Sequence, residues 1–206
     1  MPSVNLLSPS GVKLRAIVGA GKDEDFTTVF AIGDDGNLWG RVYFAAQWLP
    51  WTLIGHPPSG KLVSSENDLG HAVVASGKGA WWIFCVNAAG TVSVAMKADR
   101  NALAWTWTDI PGCPGEKRMG ALLGAEVERV SQELHVDCRS VREPNNMVYY
   151  ANAIWNPATL RWTWRYWMTG HRPGGFYGSR AGGIGTNQVV FGLQPDGTVV
   201  AMPMGR

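Results

Sequence analysis

Residues 29–55 read VFAIGDDGNLWGRVYFAAQWLPWTLIG: two short apolar runs around an Asp-Gly turn, then a pair of tryptophans three residues apart. The stretch has echoes. Residues 81–112 read WWIFCVNAAGTVSVAMKADRNALAWTWTDIPG, residues 134–170 carry RWTWRYW after a Pro-Asn-Asn turn, and residues 189–206 read VVFGLQPDGTVVAMPMGR. Phe30, Phe84, Cys138 and Phe191 fall in register, 54, 54 and 53 residues apart. The turn positions Gly36, Gly90, Asn146 and Gly197 repeat at 54, 56 and 51. Two anchors that agree within a few residues mean a repeated unit, and a period near 50 means a stack of small structural units around one core.

Each unit reads as four strands. In the first they are KLRAIVGA, TTVFAIG, LWGRVYF and WLPWTLIG, with the turn DDGN between the second and third. The later units offer HAVVAS, ALLGAEV and GSRAGGIG as first strands, and LAWTWTDI and LRWTWRYW as fourth strands. Segments this short, rich in Val, Ile, Trp and Tyr and bounded by turn residues, are strands. MGALLGAEVERVSQEL has a helix-like composition, but its place in the repeat makes it strand. The Gly or Asn of each turn supplies the positive φ that a tight hairpin needs.

The fourth unit stops before a fourth strand. Its equivalent is SVNLLSPSG, residues 3–11, which resembles WTLIGHPPSG, residues 51–60, the end of the first unit. The expectation is therefore an all-β, four-bladed β-propeller, with residues 3–7 supplying the last strand of the last blade and sealing the ring. The repeats run 12–60, 61–115, 116–174 and 175–206 plus 1–11, as one domain over 1–206. A five-bladed ring, or a partial ring completed by oligomerisation, is the competing architecture.

Composition narrows the function classes. The chain is 46% apolar and 17% charged, which excludes a disordered protein. Its 18 basic and 16 acidic residues give a net charge of +2, and the basic residues are scattered, so no nucleic-acid partner is expected. No apolar run approaches the roughly 20 residues of a membrane-spanning helix, and the N-terminus has no signal-peptide pattern. The expected location is cytoplasmic, or release without a classical signal peptide. Three cysteines in 206 residues do not make a disulfide framework. The eleven tryptophans need a use, because an indole N–H seeks a partner when buried.

Val29, Phe30, Ala31, Gly33, Asp35, Gly36, Leu38, Trp39 and Arg41, followed by Trp48, Trp51 and Gly55, form the pattern V-F-A-x-G-x-D-G-x-L-W-x-R … W-x-x-W-x-x-x-G. This resembles the repeat of tectonin-like and bacterial fucose-binding propeller lectins. The likeness spans about 27 residues of the first unit; the second and fourth keep the turn without the tryptophan that follows it, and the third keeps little. The resemblance implies carbohydrate binding in shallow clefts between blades, on aromatic faces aided by Arg or acidic side chains.

Candidate ligand residues follow. Trp39, Arg41 and Trp48 belong to the first unit, and Trp155, Arg161, Tyr166 and Trp167 to the third, with Arg180 beside a glycine cluster. Trp stacks on the apolar face of a pyranose and Arg donates to hydroxyls. Alternation argues for a second use. Trp105 and Trp107 share one strand face, as do Trp162 and Trp164, and such regular pairs suit packing between blades. Trp155, Tyr166 and Trp167 fall outside that regular pair and are the better ligand candidates. Arg41 and Arg180 have the simpler reading of lying along a tryptophan or in solvent.

His56, Cys113 and His171, with Ser8 as the fourth equivalent, occupy matching loop positions and are metal ligands only if the loops converge on the axis. The expectation is no metal and no cofactor. Cys85 and Cys138 read as buried apolar groups. No G-x-S-x-G, H-E-x-x-H or P-loop occurs, and no carboxylate pair is placed for glycosidase chemistry, so no enzyme is expected. The leading expectation is a non-catalytic, lectin-like propeller whose partners are glycans or glycoproteins, with homo-oligomerisation open. The alternative is a structural or protein-interaction propeller, such as a virion or scaffold component, that binds no sugar.

Overall fold

The computed structural model describes residues 3–23, 26–63, 72–75, 80–98, 104–111, 119–127, 134–142, 147–156, 158–168 and 189–203. Among them there is no helix; the chain is strand, turn and bend. The strands are β1 (Val4–Asn5), β2 (Leu14–Asp23), β3 (Phe26–Gly33), β4 (Leu38–Phe44), β5 (Gln47–Trp48), β6 (Thr52–Gly55), β7 (Ala72–Ala75) and β8 (Trp81–Val86). They continue with β9 (Val92–Lys97), β10 (Thr106–Asp109), β11 (Met119–Val127), β12 (Leu134–Arg142), β13 (Met147–Asn156), β14 (Arg161–Met168), β15 (Val189–Leu193) and β16 (Val199–Pro203).

These strands form four small antiparallel sheets in chain order. The first sheet runs β2-β3-β4, with β5 and β6 both pairing with β4. The second is β7-β8-β9-β10 and the third β11-β12-β13-β14. The fourth is β15-β16-β1, and here the two ends of the chain meet: Val4 pairs with Ala201 and Asn5 with Val200. The N-terminal segment thus joins the terminal sheet as its repeat position requires. The segment expected as the first strand of that sheet, GSRAGGIG at 178–185, lies outside the described residues.

The hairpin turns match the second anchor at three of its positions; the fourth, Asn146, lies outside the described residues. Gly36, Gly90 and Gly197 have φ of 76°, 77° and 86°. Each closes a three-residue loop in which its N–H bonds back three residues, to Gly33, Asn87 and Gln194, at 2.9–3.0 Å. Only glycine takes this left-handed position without strain. MGALLGAEV is β11, as its repeat position predicted. One expected strand is divided: WLPWTLIG becomes β5 and β6, because Pro50 has no N–H for the ladder. The interruption also explains why the tryptophans of the first unit are spaced by three and not two.

The cores lie between sheets. Period-2 alternation sends Phe30 and Ile32 into a cluster with Trp81, Ile83 and Cys85 of the second sheet, while Val29 and Ala31 face Leu6, Val199 and Ala201 of the fourth. In the second sheet Phe84 and Val86 join Leu134, Val136 and Ala153 of the third. Both faces of β3 and β8 are covered, so these strands read as unbroken apolar runs instead of apolar-polar alternation. At the inner ends β2 lies against β7 and β15, and β7 against β11. β2 and β11 each carry two register shifts against their neighbours, which bend a long strand.

Candidate functional site

Three junctions between sheets are fastened by the same device, a pair of tryptophans on or beside the last strand of a sheet. The first member of each pair meets the anchor phenylalanine of the preceding sheet edge to face. Trp48 meets Phe191 at 5.8 Å and 85°, Trp105 meets Phe30 at 5.9 Å and 84°, and Trp162 meets Phe84 at 5.9 Å and 86°. The second member donates its indole N–H to a backbone carbonyl at the end of the preceding sheet. Trp51 reaches Leu6 O at 3.1 Å, Trp107 reaches Ile54 O at 3.1 Å and Trp164 reaches Pro111 O at 2.9 Å. Each latch therefore combines an aromatic pair, about 0.5–1.5 kcal/mol beyond burial, with a hydrogen bond of about 1 kcal/mol net. The packing role inferred for the regular tryptophans is what the geometry shows.

The junction of the fourth and first sheets holds more than its latch. Trp39, Arg41 and Tyr43 alternate along β4 onto one face, and Trp48 and Trp51 lie on that face too. Trp39 donates to the Asp35 carboxylate at 3.2 Å, and Asn37 donates to the same group through its N–H and side-chain amide at 3.0 and 2.9 Å. Burial alone raises the Asp35 pKa, but these hydrogen bonds outweigh it and hold the carboxyl below its usual range. Arg41 lies 5.9 Å over the Trp51 ring and donates to Leu6 O beside the indole. Burial lowers its pKa from the ordinary arginine value, and it has no carboxylate partner among the described residues. Arg41 Nε and Trp48 Nε1 are buried without a hydrogen-bond partner among those residues.

The rim of this junction is apolar and open. Leu7 is 59% exposed and Leu53 53%, and Leu53 pairs with Trp39. At the junction of the first and second sheets the equivalent pair is Ser93 and Asp109. There Ser59 and Ser93 donate to Asp109 Oδ1 at 2.7 and 2.6 Å, and Asn87 donates to Ser59 at 2.6 Å. That rim is closed by its own hydrogen bonds.

The remaining predicted residues are not gathered here. Trp155 packs on Trp162 at 5.4 Å and 53°, which repeats the Tyr43–Trp48 pair at 5.2 Å and 52°. Trp155 thus takes the place in the third sheet that Tyr43 takes in the first, with its ring against that of Trp162. Arg161 is exposed on β14 opposite Asn156, and Tyr166 and Trp167 lie on the same strand opposite Ala151 and Tyr150. Arg180, Cys113 and His171 lie outside the described residues. His56 is exposed, with Nδ1 2.9 Å from Pro57 O, and among the described residues no three His, Cys, Asp or Glu side chains gather as metal ligands. Cys85 is buried and its thiol is pushed far up by desolvation, so it stays protonated at neutral pH. No helix among the described residues is long and apolar enough to cross a membrane.

Reading residues one unit at a time missed the indole-to-carbonyl bonds. The signal was present in W-x-W or W-x-x-W in one unit and an apolar-Gly/Pro end in the unit before. No protein-family model matches this chain, and no curated protein is significantly similar to it in sequence.

Proposed function

We propose that the chain is a four-bladed, lectin-like β-propeller whose glycan site is the junction of its first and last blades. The propeller reading is supported by the recurrence of one latch geometry at three successive junctions and by the entry of β1 into the fourth sheet. The site reading rests on one observation, the arginine at the closing junction. The other two latched junctions also hold tryptophans beyond their pairs, Trp81 in one and Trp82 and Trp155 in the other. The closing junction joins Trp39 to Arg41, a half-buried guanidinium with no carboxylate facing it among the described residues. Arginine has five donors, and Leu6 O engages one nitrogen. Nε is buried, and the remaining Nη donors suit ligand hydroxyls, while indole and leucine faces suit the C–H face of a sugar ring. Arg161, Tyr166 and Trp167 on β14 are the residues for a second, weaker site, and multivalent glycans or glycoproteins are the expected partners.

The competing reading, an interaction module without sugar binding, is favoured by the exposed Leu7, Phe44, Leu49 and Leu53 on or beside the first sheet. A glycan array decides between them. Binding that disappears in a folded Arg41→Ala variant supports the lectin. A folded native protein that binds no neutral or acidic glycan at the highest attainable concentration rules it out.

A further inference from the structure

We infer that the edge of β16, with Arg41 and Trp51, is a binding site for an extended chain segment, and that residues 3–7 of a second copy of this chain fill it in a strand-exchanged dimer. The site is already occupied by the chain's own β1, so its chemistry is visible. Val4 and Asn5 pair with β16, Leu6 N donates to Val199 O at 2.6 Å, and Val199 N donates to Leu7 O at 3.4 Å. Leu6 O takes the Trp51 indole and Arg41, and the Leu6 side chain is fully buried. Main-chain bonds hold the strand and one apolar position selects it, which is recognition by strand addition. Each of these contacts forms equally well whichever copy supplies the strand.

The hinge gives exchange its driving force. Leu7 sits at φ 55° with its side chain exposed, so a left-handed leucine gains no packing in return. At the equivalent place, the last residue of β6, stands Gly55, φ 92°, which carries no such strain. Between Leu7 and β2 the chain makes a tight turn, Val12 N to Pro9 O at 3.1 Å, and Lys13 is then fixed to Asp34 by two bonds of 2.8 and 3.1 Å. A short, strained hinge between two well-held segments favours opening into a neighbour. In the exchanged form Leu7 returns to an extended conformation and gives up the long bonds to its carbonyl from Val199 N and the Trp51 indole, at 3.4 and 3.3 Å, while residues 4–6 keep their contacts. The inference does not depend on sugar binding.

The test mixes full-length protein with a C-terminally tagged full-length copy at high concentration, warms the mixture gently, cools it, and reads dimer by sedimentation and by recovery of untagged chain on the tag. The expected result is a concentration-dependent dimer. Leu7→Gly, which relaxes the hinge in both copies and leaves the fold intact, lowers the association constant roughly a hundredfold. A synthetic peptide of residues 3–11 in excess lowers the dimer fraction, and the same peptide with Leu6→Asp does not. A protein that stays monomeric throughout, or a dimer indifferent to both Leu7→Gly and the native peptide, overturns the inference.

Discussion

At the junction of the first and second sheets, Trp107 donates to Ile54 on a strand that the chain has just built. At the junction of the fourth and first, Trp51 donates to Leu6, just past a strand whose partner, β16, comes from the far end of the chain. The latch is the same and the surroundings differ. The continuous junction closes its rim with Ser59, Asn87, Ser93 and Asp109. The junction of the fourth and first sheets adds Arg41 to the shared carbonyl and leaves Leu7 and Leu53 exposed beside Trp39. The tryptophan pair is therefore what the fold demands, and the rim is where residues vary without loss of the fold. A ligand-binding function has its freedom at the rim.

The largest effect expected from breaking this comparison is at the latch itself. Trp107→Ala removes a core indole and its hydrogen bond and should cost about 3–5 kcal/mol in denaturant unfolding. Trp107→Phe and Trp51→Phe keep most of the packing and isolate the bond. Trp107→Phe should cost about 1–2 kcal/mol, and Trp51→Phe less, because Leu6 O keeps Arg41 as a donor. Combining Trp51→Phe with Arg41→Ala should cost more than the sum of the two. Additive losses would mean that the two donors do not share one role.

Next in size are the glycine turns. An added Cβ at Gly197 would meet the Lys13 side chain and also the Leu14 backbone, at 3.0 Å, with φ at 86°, whereas at Gly36 it would meet only the Lys61 side chain, at 2.7 Å, with φ at 76°. Backbone yields less than a lysine stem, so Gly197→Ala should destabilise more than Gly36→Ala, by about 1 kcal/mol on top of a shared strain of similar size. Equal losses would show that the two turns meet their next sheets alike.

A gain is expected in the first sheet. Ala45 and Ala46 form the β4–β5 turn at φ 48° and 65°, conformations that suit Asn and Gly. Replacing them with Asn-Gly should stabilise the protein by roughly 1–2 kcal/mol in the same assay. An unchanged midpoint would mean that the hairpin is not held in this turn.

The smallest effect is with pH. The folded-state pKa of Asp35 is depressed, so its unfolded form binds protons more readily. Its stabilising contribution is complete above the unfolded carboxyl pKa and is lost as pH falls through the acid range. The native protein should lose slightly more stability on acidification than Asp35→Asn. A steeper loss in the variant would contradict the hydrogen-bonded turn.

Much of the fold was legible because its signals are local. The turn glycines announce positive φ, and the apolar runs TTVFAIG and WWIFCV announce strands covered on both faces. The likeness of SVNLLSPSG to WTLIGHPPSG placed the N-terminal strand, since both segments end a sheet and cross to the next with a buried Leu6 or Ile54 and a positive φ at Leu7 or Gly55. The candidate site was legible only in part. Trp39, Arg41 and Trp48 come together because strand alternation is readable. The contact of Trp155 with Trp162 was not legible, because it is set by cross-strand register, which a single strand does not encode. The indole bonds were hidden for the same reason: donor and acceptor lie 45 or 53 residues apart in neighbouring units.

The most direct measurement is hydrogen exchange of the tryptophan indole N–H groups by NMR in the folded protein. If small sheets are fastened in succession by donated indoles, the protons of Trp51, Trp107 and Trp164 exchange slowly and as a set. Exchange of any one of them at the rate of a free indole would show that its junction is open and that the shared latch does not hold the molecule together.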